Sequence, residues 1–521
     1  MTGVGAPPAP ARTRATWKRI PPRALRTAAV AAAMAYVGVF CWAMATQGYN
    51  TWASMVILPA LAVITYGVAR RAGRRSRDPA LATLLMTAFA LKMAATLVRY
   101  VVAFGVYDGR ADATGYHYAG AFLAQQLRRG DFTLDLGGSL VGTQFIDLLT
   151  GIVYAVVGST KLGGFFVFSW LGFWGLWLFY KAFRTAFPGL PGRRYSLVVF
   201  LMPSLLFWPS SIGKESWMLL GLGMGALGAA QLLRGQRGGL VRLALGLGAC
   251  MLVRPHMALV TLVATGIAYA VKRQPRSTLP GARRLAGLAI LVAGGLVVVA
   301  NVETFFGVDQ LSSGSVGNIL ESTQDRTSAG RSSFESGSPS LSRLPNGMVT
   351  ILFRPFPTEA RNAQALIASL EGVALAAMLV LALRRARQLP SLLREEPYAV
   401  FCLAYSGMFF FAFSSFSNFG IVSRQRVQLF PVLFALLVAL YERRAAGDGE
   451  SPAPPQVEGH AEAEPWPSVF ASPGARVLTT VGAVVLMVVA IVVVGLGRGL
   501  QAPPRLVPGP PAAQAGVSGP G

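Results

Sequence analysis

The chain has 521 residues, 53% of them hydrophobic and 13% charged, and a formal net charge of +25 at pH 7. A mean hydropathy of +0.51 and repeated apolar stretches of bilayer length exclude an ordinary soluble domain and indicate a polytopic membrane protein. The basic residues stand in short clusters between apolar runs, the pattern of cytoplasmic loops, and this excludes a nucleic-acid surface.

In chain order, residues 1–27 read as a basic, Pro-rich cytoplasmic tail, and 28–444 as an all-α, polytopic transmembrane bundle. Charge placement predicts a first crossing at 28–46, a second at 52–69 returning to "RRAGRRSR", and a third at 81–106 that exits to an outer loop, 107–140. Residues 141–158 are apolar. A full crossing there would put the basic loop "KAFRTAFPGLPGRR" outside, so this segment is expected to dip or lie along the outer interface. Further crossings are expected at 162–180, 195–212, 217–233, 240–252, 257–271 and 285–302. An outer Ser/Gly-rich loop, 303–350, precedes crossings at 363–383, 398–416 and 427–441. A cytoplasmic linker, 445–475, leads to a last crossing at 477–496 and a Pro/Gly-rich tail, 497–521, expected to be disordered. That makes about thirteen crossings, in a plasma-membrane protein with a cytoplasmic N-terminus. Cys41, Cys250 and Cys402 all lie in apolar segments, so no disulfide framework or thiolate metal site is indicated.

This map puts Asp108, Asp112, His117, Lys214, Glu215, Arg254, His256, Arg354, Arg424 and Arg426 at outer turns. Surplus cations belong on the cytoplasmic side, so arginines outside call for another reason, and a bound anion is one. In "DGRADATGYHYAGAFLAQQLRRGDF", Asp108 and Asp112 are four apart, so on a helix they share a face with Tyr116. Two readings stand for this stretch: a carboxylate base or cation site, or a solvated loop with an N-cap aspartate before an interfacial helix. In "VRPH", Arg254 offers a planar fork suited to phosphate and His256 a second donor. The alternative is an arginine that snorkels beside a Pro-started helix. "FRPFPTEARN" and "SNFGIVSRQRVQLFP" contribute Arg354, Arg424 and Arg426. Arg424 or Arg426 alone reads more readily as a structural residue than as a ligand contact, and the recurrence of basic residues at four separate outer turns is what shifts the weight towards an anionic ligand. No phosphate loop and no H-E-x-x-H pair occurs.

An outer loop with an aspartate, followed by a Tyr-containing interfacial helix ending "GDF", resembles the first extracytoplasmic loop of the GT-C superfamily of membrane glycosyltransferases. The likeness continues through "TQFIDLLTGIVYAVVGSTKLGGFFVFSWLGFWGLWLFYKAF", similar to that superfamily's peripheral helix and the crossing after it, and covers roughly residues 80 to 300 by order and spacing. "PSLLFWPSSIGKES", "RPFPTEARNAQALIASLE" and "SRQRVQLFP" resemble membrane proteins of bacterial surface-polysaccharide assembly. The resemblance implies an inverting transfer of a sugar from a polyprenyl-phosphate donor to a cell-surface glycan or lipid-linked acceptor on the outer face. It gives Asp112 the role of base. Ala113 stands where the superfamily often has a second acid, so a divalent cation at Asp112 depends on Asp108 and is left open. Lys214, Arg254 or Arg424 would stabilise the leaving phosphate, with Glu215 holding Lys214 in position. The competing functions are an O-antigen-type polymerase or ligase and a lipid or polysaccharide transporter.

Overall fold

The computed structural model describes residues 22–443, apart from 77, 134–135, 137, 273–279, 307–343, 361–362, 415 and 417. The C-terminal linker, the last expected crossing, the C-terminal tail and most of the 303–350 loop therefore lie outside the described residues. Within them the apolar runs form helices, and no strand occurs. Proline opens several of these helices, at Pro79, Pro203, Pro255 and Pro397, where its missing N–H would have no helical acceptor anyway.

The helices are α1 (Pro22–Thr46), α2 (Tyr49–Arg75), α3 (Pro79–Val101), α4 (Asp112–Arg128), α5 (Thr143–Val157) and α6 (Lys161–Ala186), then α7 (Arg193–Leu201), α8 (Pro203–Phe207), α9 (Lys214–Leu233), α10 (Gly239–Met251), α11 (Pro255–Val271) and α12 (Pro280–Phe306). After the undescribed loop come α13 (Leu344–Phe353), α14 (Ala363–Leu383), α15 (Leu389–Glu395), α16 (Pro397–Phe413), α17 (Phe419–Gln425) and α18 (Phe430–Glu442). Five of the described helices are long and apolar enough to span a membrane, or up to seven spans if two bent helix pairs each count as one. The thirteen crossings expected from the sequence are not reached. The difference lies in helices of ten to seventeen residues, such as α10, α11 and α13, and in residues outside those described. A thirteen-residue helix rises about 20 Å, short of a hydrocarbon core of about 30 Å.

The expected single crossing at 195–212 is broken. Pro203 separates α7 from the short α8, and the chain runs irregularly on to Gly213. A broken helix inside a membrane protein leaves carbonyls that need donors. Lys92, fully buried on α3, supplies them: its ammonium donates to the carbonyl oxygens of Leu205 at 2.7 Å and Leu206 at 3.1 Å.

The core of the bundle is α6 against α9 and α9 against α10, where glycines allow the backbones to touch. A Cβ on Gly223 would overlap the carbonyl oxygen of Gly175, and one on Gly246 would overlap the backbone of Gly225. Small residues at such seams are how membrane helices gain packing energy without a water-driven term. Twenty residues of α9 rise about 30 Å, so its two ends define the two ends of the bundle. At the Leu233 end, Arg234 pairs with Glu396 at 2.6 Å and donates to Ala186 O, and nearby Arg194 pairs with Glu442 at 3.5 Å. The basic turns of the sequence gather there. The site lies at the Lys214 end.

Helices α4 and α5 form a separate pair at that end. Fifteen residues give α5 a length of about 22 Å, too short to span by itself. It buries Ile146, Thr150 and Tyr154 against α4, while Ile152 and Val156 are exposed.

Candidate functional site

Asp112 is the first residue of α4, where a carboxylate is favoured by the positive end of the helix dipole. Lys214 and Glu215 open α9, directly after the irregular stretch that α8 feeds. Arg254 precedes Pro255 at the start of α11. Arg424 lies in the last turn of α17, a helix begun by Asn418, whose side-chain oxygen accepts from Gly420 N at 3.0 Å and Ile421 N at 3.2 Å.

Glu215 is the hub. Its carboxylate is buried, with 3% of the side chain exposed, and its Oε1 accepts from Arg254 Nη2 at 3.1 Å and from Arg424 Nε at 2.8 Å. Arg424 then reaches on through Nη2 to Asp112 Oδ2 at 2.6 Å. Four segments distant in sequence are thus joined by a chain of charge-assisted bonds, Arg254–Glu215–Arg424–Asp112. Such a chain is stable in a buried setting only because each charge meets an opposite one. Tyr116, one helical turn after Asp112, is buried beside it. Burial, together with the carboxylates of Glu215 and Asp112, pushes its phenol well above the usual range, so it stays a hydrogen-bond donor.

Lys214 does not lean on Glu215, as the sequence suggested. Its ammonium donates to Thr143 Oγ1 on α5 at 3.0 Å. Glu215 is taken by the two arginines, whose planar forks fit a carboxylate better than an ammonium does.

Sequence reasoning passed over Arg99, which the third apolar run hides. It projects from the last turn of α3 over the rings of Phe207 and Trp208, with centroids at 4.9 and 5.1 Å, and lies within electrostatic range of Arg424, Glu215 and Asp112. Asp147 on α5, within electrostatic range of Lys214, was passed over as well. The available signal was an ionisable residue in an apolar run.

The other expected residues fall elsewhere. Asp108 is not on a shared helical face with Asp112. It sits in the turn before α4 with a φ of 49°, exposed, and among the described residues no hydrogen bond or ion pair joins it to the cluster. His117 turns away to meet Tyr154, Nδ1 to Oη 2.8 Å, and burial lowers its imidazole to about 4, with Lys161 adding to the shift. His256 is partly buried two residues beyond Arg254, its ring 6.2 Å from that of Phe413. Arg354 pairs with Glu359 and covers the Phe419 ring. Arg426 is fully buried, paired with Glu371 at 3.0 Å and donating to the carbonyl oxygens of Leu352 and Arg354. Glu371 also accepts from Ser204 N at 3.0 Å. Arg426 therefore braces the interior between α8, α13 and α14, fully buried and apart from the Glu215 cluster.

Four cations, Arg99, Lys214, Arg254 and Arg424, meet the carboxylates of Glu215 and Asp112, with the half-buried Asp147 beside them. Arg254 Nη1 and Arg99 Nε are buried and have no acceptor among the described residues. Buried donors of this kind are costly unless something accepts from them. Chemically, such an arrangement can receive acceptor oxygens carrying negative charge. A divalent cation does not fit. Among the described residues no three His, Cys, Asp or Glu gather as ligands, and the carboxylate of Asp112 already faces a guanidinium.

No family profile matches the sequence, and neither the curated proteins nor the solved structures include a significant match.

Proposed function

We propose that the chain is an integral-membrane glycosyltransferase that moves a sugar from a polyprenyl-phosphate donor to a cell-surface glycan or lipid-linked acceptor, at the extracytoplasmic face of the plasma membrane. The observation that carries this reading is the joining of Asp112 to Arg424, Glu215 and Arg254 at one end of the bundle, with buried guanidinium N–H groups still lacking acceptors. A glycosyl phosphate needs two things at once: cations for the charge that develops on the leaving phosphate, and a carboxylate to take the proton of the attacking hydroxyl. Lys214, Arg254 and Arg99 supply the first. Asp112 supplies the second: its side chain is 58% exposed, and Arg424 engages only Oδ2.

In the reaction the acceptor oxygen attacks the anomeric carbon as the bond to the phosphate oxygen breaks. The electron pair of that bond goes to the phosphate, where the cationic cluster stabilises it, and the hydroxyl proton goes to Asp112. Attack from the face opposite the leaving group inverts the anomeric centre. Membrane lipid is the medium in which the polyprenyl chain reaches the site.

Membranes carrying the protein, supplied with a polyprenyl-phosphoryl sugar and a glycan acceptor, are expected to form a product with one added residue. Asp112→Asn keeps size and hydrogen-bonding capacity, and it is expected to abolish transfer while donor binding persists. A second reading, polymerisation from a pyrophosphate-linked donor, is favoured by one observation: two of the four cations lack a carboxylate partner, enough to match a doubly charged pyrophosphate. Long polymer formed only from a pyrophosphate-linked donor, with Asp112→Asn still active, selects that reading.

A further inference from the structure

Asp147 has no place in the scheme above. It lies one helical turn after Thr143 on α5, so the two side chains share a face of that helix. Thr143 Oγ1 accepts from the Lys214 ammonium at 3.0 Å, so the same face carries Asp147 towards Lys214, within electrostatic range of that ammonium and of the Tyr116 phenol. Asp147 is half-buried between α5 and its neighbours, and among the described residues its carboxyl has no hydrogen bond or ion pair.

We propose that Asp147 is the acid of this site, a carboxyl that gives a hydrogen bond, and in the transfer step a proton, to the phosphate held by Lys214. This rests on the reading of the cluster as a phosphate site.

The surroundings suit that role. Burial pushes the Asp147 carboxyl up to about 6, against the opposing pull of the Lys214 ammonium. The charged or titratable groups on the adjoining elements include Asp112, Tyr116, His117, Tyr118 and Arg128 on α4, Tyr154 on α5, Lys161 at the start of α6, and Glu215 and Arg254 beyond Lys214. Arg128 is taken by the carbonyl oxygen of Ala155 at 3.1 Å, and Glu215 by Arg254 and Arg424. Tyr116 stays protonated, His117 is neutral and turned to Tyr154, and Lys161 lies over the rings of Phe104 and Tyr118. A phosphate seated on Lys214 adds negative charge beside Asp147, which favours its protonated form further. Once the bond to the anomeric carbon breaks, the phosphate gains a second negative charge and a more basic oxygen, and the Asp147 proton moves to it. Asp112 meanwhile holds the proton from the acceptor. One proton has been taken up and one given, and exchange with water restores both carboxyls.

The test measures binding of farnesyl-phosphoryl-glucose to the full-length protein in lipid nanodiscs between pH 5 and 8. This phosphodiester keeps one negative charge over the whole range, so any pH dependence belongs to the protein. Wild type is expected to bind about tenfold more weakly at pH 8 than at pH 5, since ionised Asp147 repels the phosphate. Asp147→Asn is expected to bind at every pH as wild type does at pH 5, yet to turn over at least tenfold more slowly, because an amide cannot yield the proton. Asp147→Glu is expected to restore both the pH dependence and most of the turnover. Should the amide variant not insert, Asp147→Ser gives the same comparison. A variant that keeps the wild-type pH dependence of binding, or the wild-type rate and pH–rate profile, overturns the proposal while leaving the phosphate site standing. Absence of binding by wild type at every pH overturns the phosphate site and this proposal together.

Discussion

Oε1 of Glu215 lies 2.8 Å from Nε of Arg424, although 209 residues separate them in the chain. The same oxygen accepts from Arg254, and Arg424 carries the linkage on to Asp112. Glu215 is therefore expected to be the residue on which the geometry of the whole cluster depends. Glu215→Gln removes the negative charge and leaves two guanidinium groups facing each other in a buried setting. Losing one partner of a buried ion pair costs about 3–5 kcal/mol. The variant is expected to show a lowered melting temperature in detergent and more than a hundredfold loss of transfer. Glu215→Asp, which keeps the charge one methylene short, is expected to recover part of both.

The cations divide into ligand contacts and braces. Removing one charge-assisted contact to a phosphate costs roughly 1.5–3 kcal/mol, about ten- to a hundredfold in rate. Lys214→Ala and Arg99→Ala, whose cations have no carboxylate partner, are expected to lose that much activity with little change in thermal stability. Arg426→Ala is expected to do the reverse, because Arg426 is fully buried against Glu371. It should lower the melting temperature and the folded yield while the folded fraction keeps most of its specific activity. Activity assays normalised to folded protein by size-exclusion separate the two outcomes.

His117 predicts a pH dependence of stability. Its imidazole is held down to about 4 from an ordinary 6.5, chiefly by burial. The unfolded chain therefore binds a proton between these values that the folded chain does not. Stability from this group is complete above about pH 6.5 and is lost as the pH falls towards 4. Thermal unfolding followed from pH 7.5 to 4 is expected to show the decline, and His117→Gln to flatten it. A decline of equal slope in the variant assigns the effect to other groups.

Topology has a direct test. Ser139 is exposed just before α5, and Gly189 is exposed in the basic turn after α6, with open space where a side chain would begin. Cysteines placed at these two positions are expected to differ towards an impermeant thiol reagent applied to intact cells, with only Ser139→Cys reacting from outside. Equal labelling of both overturns the orientation proposed for the site.

Much of the helical layout was legible in the sequence, because apolar length and the residues that begin and end helices are local properties. The expectation that 141–158 does not cross rests on charge, since a full crossing conflicts with the basic loop after α6; the structure gives that segment as a fifteen-residue helix. The break in 195–212 was not legible as a break. Its cause is Pro203, but its stability depends on Lys92, more than a hundred residues earlier. Asp108 was misplaced for a similar reason. Spacing of four implies a shared face only if both residues are helical, and the left-handed turn at Asp108 lies outside α4.

For the candidate site, the sequence by itself determined which residue types were unusual: carboxylates and arginines at the ends of apolar runs, where an uncompensated charge is costly. Asp112, Lys214, Glu215, Arg254 and Arg424 were all readable in that way. Only the tertiary structure decided which charge answers which. It gave Glu215 to the two arginines instead of to Lys214, turned His117 inward to Tyr154, closed Arg426 into the core with Glu371, and brought Arg99 to the cluster from inside an apparent crossing. The physical reason is that an ion pair is set by distance and burial in space, and residues 209 apart in the chain carry no mutual pattern that a reading along the sequence can detect.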